Sequence, residues 1–344
     1  MSAVIISVLE PGEEQAWDGF VHRHADGTFF HLAGWRRVIE KAFGHRTFYL
    51  LAQKDGEVAG VLPLTHVKSM LFGSSLISNA FCVQGGILAS STEAAAGLEE
   101  EAVRIGSREK VDCIEFRSLK PSHPGWEQKS NLYVTFRRPI DPDVDANMKA
   151  IPRKQRAMVR KGISNGLTSE CDGDVGRLHD VYAHSVRNLG TPVFSRRYFQ
   201  LLKDEFGDAC DVVTVLHEKK PVASVLNFYF RDEVLPYYGG GLTEARELAA
   251  NDFMYWEVMR RACERGFKLF DFGRSKTGTG AFHFKRNWGF EPTPLTYEYR
   301  LIKANKIPEV NPLNPKFQAF IALWRRLPVP LTKVLGPPIV RGIG

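Results

Sequence analysis

The sequence lacks a hydrophobic run of the roughly 18 residues needed to span a bilayer. Residues 1–10 also lack a basic segment followed by a small-residue cleavage site, so they predict a β-strand and not an export signal. A cytoplasmic location is therefore expected, with peripheral contact at the inner face of the membrane left open.

Cysteine is scarce, and its pattern excludes a disulfide-rich fold. The five cysteines are widely separated and form no C-x-x-C pair, and their odd number argues against a disulfide framework. The ten histidines show no spacing typical of metal ligands. We therefore predict neither structural disulfides nor a bound metal.

Acidic residues are missing from two stretches that carry much of the positive charge. The chain has a net charge of +7, while residues 146–169 carry +6 and residues 311–344 carry +5, which leaves −4 on the rest. A protein that coats nucleic acid would be basic throughout. Two local basic features indicate two specific anionic contacts.

An internal repeat organises the chain. The run VAGVL at residues 58–62 recurs as VASVL at residues 222–226, each after a charged turn and a β-rich run, so both predict hairpins. Upstream of each hairpin, residues 35–43 and 198–206 have helical periodicity and end in Phe-Gly, which suits a helix C-terminus.

The repeat continues downstream of both hairpins. Each copy then has a glycine cluster beside a strand, a helix at 93–108 or 249–264, and a strand at 111–116 or 267–272. The shared order predicts an α+β (mixed α/β) fold in which each copy is a mixed sheet flanked by helices. Two unrelated α/β domains are the alternative.

The turn-forming residues 139–152 mark the junction between the copies. We predict an N-terminal domain at 1–145, a C-terminal domain that carries the site at 146–306, and a basic tail at 307–344. Within the tail, residues 315–327 predict an amphipathic helix with Phe317, Phe320, Ile321 and Trp324 on one side. This helix either adsorbs to anionic lipid or packs on the domains.

Three runs carry a resemblance to a known family. They are FDFGRS at 270–275, FHFKRNWGF at 282–290 and the basic run RKQRAMVRKG at 153–162. The chain resembles the FemAB-like branch of the GNAT superfamily over residues 28–299. The resemblance implies two tandem GNAT-like domains and transfer of an amino acid from aminoacyl-tRNA to the amine of a peptidoglycan precursor, or a related N-acyl transfer.

The tail, with LWRRLP at 323–328 and LGPPIVR at 335–341, further resembles an exosortase (PEP-CTERM) and exopolysaccharide-associated branch of that family. The chain lacks the long charged helical hairpin of some cell-wall members. It also lacks the Gln/Arg-x-x-Gly-x-Gly/Ala loop by which other GNAT enzymes hold coenzyme A. Aminoacyl-tRNA and acyl-CoA therefore both stay open as the acyl donor, which acts as a co-substrate and not as a permanently bound cofactor.

Acyl transfer to an amine needs a neutral nucleophile and fixed donors for the oxyanion. We predict catalytic roles for Asp271, which orients or deprotonates the amine, for Lys285 and for Tyr238. Alternatively, Asp271 caps the following loop and pairs with Arg274. The residues predicted to bind substrate are Arg153, Arg156, Arg160, Tyr237, Arg274, Ser275 and Trp288.

Some aromatic residues near the predicted site should pack in the core instead of contacting substrate. One of Tyr237 and Tyr238 should face the cleft while the other packs, and at least two of Phe284, Trp288 and Phe290 should be core residues. The loop at 276–280 could form an anion-binding concavity. In the first copy, Glu115 aligns with Asp271, but the glycine loop and the aromatic run are absent, so that copy is predicted to be structural.

The expected function is N-acyl or aminoacyl transfer to an anionic, nucleotide- or lipid-linked envelope precursor, of peptidoglycan or exopolysaccharide. Expected partners are this precursor, the acceptor end of tRNA and an anionic membrane. The alternatives are an acetyl-CoA-dependent enzyme that acts on a small amine, and a non-catalytic assembly factor.

Overall fold

The computed structural model describes residues 3–69, 72–119, 121–307 and 315–344. Predictions for residues 308–314, within the tail, lie outside the described residues. The strands are β1 (Ile5–Val8), β2 (Arg46–Lys54), β3 (Glu57–Ser69), β4 (Gly73–Ser78), β5 (Leu88–Ala89), β6 (Cys113–Ser118), β7 (Glu127–Pro139), β8 (Thr168–Cys171), β9 (Cys210–His217), β10 (Lys220–Phe230), β11 (Glu233–Gly241), β12 (Leu269–Asp271), β13 (Ser275–Lys276) and β14 (Pro292–Leu301).

The helices alternate with these strands. They are α1 (Glu14–Arg23), α2 (Gly34–Phe43), α3 (Thr92–Arg108), α4 (Val144–Ala150), α5 (Arg153–Ser164), α6 (Gly176–Leu189), α7 (Arg196–Phe206), α8 (Ala250–Glu264), α9 (Gly280–Asn287), α10 (Pro315–Trp324) and α11 (Val329–Val340). Short 3₁₀ turns occur at Phe29–His31, Gly207–Ala209 and Thr243–Ala245.

The chain divides into two units. Unit 1 comprises Met1–Tyr133, Pro294–Val310 and Arg341–Gly344, and unit 2 comprises Val134–Thr293 and Asn311–Val340. Neither unit is continuous in sequence, whereas the sequence predicted three continuous segments at 1–145, 146–306 and 307–344.

The sheet of unit 1 has the order β1-β2-β3-β4-β6-β14. The first four strands are antiparallel neighbours, β4 and β6 are parallel, and β6 and β14 are antiparallel. Helix α3 buries Leu98 and Ile105 against this sheet, in a core shared with Leu62 and Ile114.

Unit 2 repeats this order with β8-β9-β10-β11-β12 and then residues 137–139 of β7. Strands β8 to β11 are antiparallel neighbours, β11 and β12 are parallel, and β12 and β7 are antiparallel. Unit 1 takes its last strand, β14, from beyond the main segment of unit 2, whereas the end of β7 opens the main segment of unit 2.

The glycines predicted to end helices do so. Gly44 follows α2 with φ 65°, and Gly207 follows α7 with φ 49°; this is the region that residues with a Cβ rarely adopt. The Ser195 side chain caps the start of α7 by accepting a hydrogen bond from the Tyr198 N–H. The two helix–hairpin units of the repeat are therefore confirmed locally.

Strands β11 and β12 separate soon after they meet. Their parallel pairing covers only Glu233 with Leu269 and Val234 with Phe270, while β11 continues to Gly241. The carboxyl end of β12 is therefore not covered by its neighbour, and this end carries the candidate site.

Candidate functional site

Asp271 is the last residue of β12 and the fixed point of the site. Its Oδ1 accepts a hydrogen bond from the Gly273 N–H at 2.7 Å and another from the Thr135 hydroxyl at 3.2 Å. Gly273 has φ 68°, which suits glycine and lets the chain turn sharply after the strand. The carboxylate therefore holds the turn that follows β12.

The structure places Arg137 as an ion-pair partner of Asp271. The Arg137 Nε lies 3.4 Å from Asp271 Oδ2, and its guanidinium also pairs with Glu233. Burial raises the pKa of Asp271, and the positive charge of Arg137 is the largest opposing effect. The Asp271 carboxylate is thus buried, and the positive charge of Arg137 stabilises its ionised form.

Sequence reasoning missed Thr135 and Arg137. Both lie on β7, which was placed in the first domain, and they reach Asp271 because residues two apart on a strand share a face. This alternation was the available signal. What it could not indicate is that the end of β7 pairs with β12.

Lys285 approaches the same turn from α9. The Thr279 side chain caps the start of this helix by accepting from the Phe282 N–H. The Lys285 Nζ donates hydrogen bonds to the carbonyl oxygens of Gly273 at 3.0 Å and Arg274 at 3.1 Å. The residue is 8% exposed. The structure therefore brings Lys285, Arg274 and Asp271 together around one turn.

Burial sets the protonation of Lys285. It lowers the pKa of the ammonium to about 7, while the charge of Asp271 opposes the shift and that of Arg274 adds to it. Near neutral pH the group is therefore divided between its charged and neutral forms. Such a lysine can donate to a developing negative charge or exchange a proton with a substrate.

Ser275 follows Arg274 and begins β13. Its side chain is buried, and within the described structure its hydroxyl has no hydrogen-bonding partner. Arg274 is half-buried. A buried hydroxyl without a protein partner is uncommon, and a water molecule or a ligand can supply the missing partner.

Trp288 is placed in the core instead of at a substrate surface. It is fully buried, and its indole N–H donates to Asp252 Oδ1 at 2.9 Å, which also accepts from Gln155 at 3.0 Å. Phe290 is buried as well, whereas Phe284 is partly buried against the same core. The buried indole cannot contact a ligand without rearrangement, which favours packing over the predicted substrate-binding role.

The two tyrosines of β11 point to different surroundings. Tyr238 is buried, bonds the Tyr198 hydroxyl at 2.8 Å and packs edge-on against Tyr182 and Phe199. Burial raises its pKa well above the ordinary value. Among the described contacts of Tyr238 none is with Asp271 or Lys285, so the structure favours packing over the predicted catalytic role. Tyr237 is half-buried beside Phe228.

The basic helix forms as predicted and turns its cations outward. Helix α5 buries Gln155, Val159 and Gly162, while Arg153 and Arg160 are exposed. Arg156 is half-buried and donates to the Lys149 carbonyl at 2.9 Å. The loop at 276–280 closes on itself, because the Thr279 hydroxyl donates to the Lys276 carbonyl at 2.8 Å.

Unit 1 contains a cavity of about 220 Å³ that sequence reasoning did not anticipate. Its polar lining includes His31, Gln84, Arg117, Ser118 and Ser122. The Arg117 Nε pairs with Glu115, which aligns with Asp271, at 2.6 Å. Burial lowers the pKa of His31 to about 4, so this imidazole is neutral at pH 7.

No group of three or more His, Cys, Asp or Glu side chains within the described residues is arranged to hold a metal ion. None of the helices in the described segments is long and apolar enough to cross a membrane.

The match to a known protein family lies in unit 2. Residues 148–286 match the acetyltransferase (GNAT) domain family. The chain is 27% identical over 175 residues to the lipid II:glycine glycyltransferase of Staphylococcus aureus, covering 45% of this chain and 41% of that protein. The chain thus spans less than half the length of the curated relatives it matches.

Solved structures share the fold. The crystal structure of FemX superimposes with a TM-score of 0.68 at 17% identity, covering 87% of this chain and 98% of that one. A tandem GNAT protein from the clavulanic acid biosynthesis pathway gives a TM-score of 0.55 at 11% identity, covering 87% and 98%. The α+β fold of two GNAT-like units is confirmed, and the exosortase-associated branch stays a prediction. The resemblance to the FemAB-like family is supported in the same way: the chain is similar to a lipid II:glycine glycyltransferase and to FemX, and residues 148–286 match the GNAT domain family.

Proposed function

We propose that this protein transfers an acyl or aminoacyl group to an amine of a peptidoglycan precursor. The observation that carries the proposal is Lys285, a buried lysine with a pKa of about 7 fixed at an uncovered strand end in a GNAT-type unit. The name of the curated relative, a lipid II:glycine glycyltransferase, supports the choice of acceptor and of an aminoacyl group.

In the proposed reaction the neutral acceptor amine attacks the carbonyl carbon of an ester or thioester donor. A C–N bond forms and the carbonyl oxygen becomes an oxyanion. The C–O or C–S bond then breaks, and the proton lost by the amine passes to the departing oxygen or sulfur. Two hydrogens of the Lys285 ammonium are held by the carbonyls of Gly273 and Arg274. The third is available for the oxyanion.

Asp271 has a supporting role in this scheme. Its oxygens are occupied by Gly273, Thr135 and Arg137. These contacts fix the carboxylate against the turn, and its charge favours the ammonium form of Lys285. Asp271 is therefore proposed to position the turn and to maintain the charge of Lys285.

The donor would bind through cations and the unpaired hydroxyl near this turn. Arg274 and Ser275 suit a phosphate or carboxylate, and the exposed Arg153 and Arg160 on α5 suit a longer anion. Aminoacyl-tRNA and acyl-CoA both carry such groups. In either case the donor is a co-substrate that leaves after each turnover.

The test is a transfer assay with the full chain. Glycyl-tRNA and acetyl-CoA serve as alternative donors, and a nucleotide-linked muropeptide with a free lysine amine is the acceptor. Mass spectrometry should find the acceptor heavier by one acyl or aminoacyl group. Acetylation of small amines alone would favour a conventional acetyltransferase, and acceptor binding without a product from either donor would favour an assembly factor. Each of these results contradicts the proposal.

Replacing the muropeptide by nucleotide-linked sugars of exopolysaccharide synthesis tests the narrower placement in an exosortase-associated system. A product with that acceptor alone would move the function from peptidoglycan to exopolysaccharide. The expected site of action is the cytoplasm, at the inner face of the membrane.

A further inference from the structure

Helix α11 is apolar on two opposite sides. One side buries Val329, Thr332, Gly336 and Val340. The other side exposes Leu331, Val334 and Leu335, and Val334 is 71% exposed. These three follow helical spacing and so form one face. Surface helices normally present polar residues to water, so this face is exceptional.

The buried side of α11 packs closely on the rest of unit 2. Val329 packs in a cluster with Ala183, Val186 and Val193. At Gly336 the helix approaches so closely that an added Cβ would lie 2.7 Å from the Val193 carbonyl oxygen. Lys333 pairs with Asp180 of α6 at 2.5 Å. The exposed side chains are therefore held outward by a firmly packed helix.

A second exposed apolar pair adjoins the end of α10. Leu323 is 63% exposed and Leu189, the last residue of α6, is 64% exposed. The Arg325 guanidinium donates to the Leu189 carbonyl at 3.3 Å, and Arg187 donates to the Arg325 carbonyl at 3.0 Å. Trp324 is buried, so the tryptophan of the predicted amphipathic helix faces the protein. The side chain of Phe317 lies outside the described residues.

Residues 311–344, which include α10 and α11, carry charged side chains of one sign. Arg325 and Arg326 are exposed, and residues 311–344 contain no acidic residue. Asp180 of α6 pairs with Lys333. Residues 311–344 themselves include no acidic residue that could pair with Arg325 or Arg326. The exposed hydrophobic residues are aliphatic, whereas protein interfaces are rich in aromatic anchors. Aliphatic side chains flanked by arginines match the acyl chains and phosphates of anionic lipid.

We propose that α10 and α11 of unit 2 form a membrane-docking surface, in which Leu323, Leu331, Val334 and Leu335 enter the lipid interface and Arg325 and Arg326 contact anionic headgroups. This deepens the proposed function, since it would bring the enzyme to a lipid-linked acceptor. It needs no transfer chemistry, so vesicle binding can be measured independently of activity.

The experiment is co-sedimentation of the full chain with vesicles of phosphatidylcholine, with and without phosphatidylglycerol. The wild type should bind the anionic vesicles, and added salt should weaken the binding. The double variant Val334→Asp/Leu335→Asp should bind at least about tenfold more weakly. Arg325→Gln/Arg326→Gln should lose about tenfold on anionic vesicles only.

Ile5→Asp is the matched control, because Ile5 is a comparably exposed aliphatic residue in unit 1. It should bind vesicles as the wild type does. Thermal unfolding checks that all variants are folded, and the aspartate variant should keep wild-type transfer to a water-soluble acceptor. A wild type that does not bind anionic vesicles would overturn the proposal, as would unchanged binding by the aspartate variant. A dimer that this variant dissociates would instead assign the face to a second copy of the chain.

Discussion

The Lys285 ammonium donates a hydrogen bond to the Gly273 carbonyl at 3.0 Å. The N–H of the same glycine donates to Asp271 at 2.7 Å. One residue of the turn thus joins the cation and the carboxylate, so a shift of the turn displaces both charged groups.

The buried lysine should make stability depend on pH. The pKa of Lys285 is about 7 in the folded protein against an ordinary 10.5, so the unfolded chain binds more protons between these values. The free energy of unfolding therefore rises with pH across this window, by at most about 1.4 kcal/mol per pH unit. Urea denaturation at pH 7, 8 and 9 should show wild type gaining stability relative to Lys285→Met. Parallel curves would mean that the lysine has an ordinary pKa.

Asp271→Asn should lower transfer at neutral pH by about tenfold. The amide keeps an oxygen for Gly273 and Thr135 but removes the charge that raises the pKa of Lys285. Less of the lysine is then charged, so the decline of kcat at high pH should move to lower pH. Asp232→Asn, at an exposed ion pair with Lys268, is the control and should leave the profile unchanged. An unchanged dependence of kcat on pH would show that Asp271 does not maintain the charge of Lys285.

Gly273→Ala tests the turn itself. An added Cβ meets nothing within 4 Å, but the backbone has φ 68°. The cost should be about 1–2 kcal/mol of stability from backbone strain. Because the turn holds both charged groups, transfer should fall more than the loss of folded protein explains. The analogous Gly12→Ala, also at positive φ with open space around it, should lose stability alone. Equal activity in the two variants would separate the turn from catalysis.

Trp288→Phe should destabilise unit 2 by about 2–3 kcal/mol, because buried Asp252 loses a charged hydrogen bond. Trp126→Phe makes the same change at a hydrogen bond to Glu99, whose side chain is 35% exposed. That variant should cost less than half as much. Denaturant titration of both compares the two costs directly. A Trp288→Phe variant with wild-type stability and weakened substrate binding would return the indole to the binding surface.

Local sequence signals predicted much of the fold. The two hairpins, the Phe-Gly helix ends and the helix before each parallel strand depend on neighbouring residues, and all are present. The contrast between the copies was also readable, since only the second has a lysine-bearing aromatic run after its parallel strand. Lys285 and Asp271 were found in this way, and the structure places both at one turn.

The pairing of strands far apart in the chain could not be predicted from the sequence. Strand β14 and the end of β7 pair with strands far away in sequence, so the contact of Arg137 with Asp271 was missed. Helix α11 was hidden by Pro337 and Pro338, which disfavour helix in isolation. Tyr238 and Trp288 are buried, which the sequence alone could not indicate for these two among their aromatic neighbours.

Single-turnover transfer by wild type and Lys285→Met tests the central claim most directly. Loss of the donor to the oxyanion should slow the chemical step by about 10²-fold or more, with donor binding unchanged. Lys268→Met, which removes a surface lysine paired with Asp232, should react at the wild-type rate. A Lys285→Met protein that is folded and transfers as fast as wild type would contradict the account.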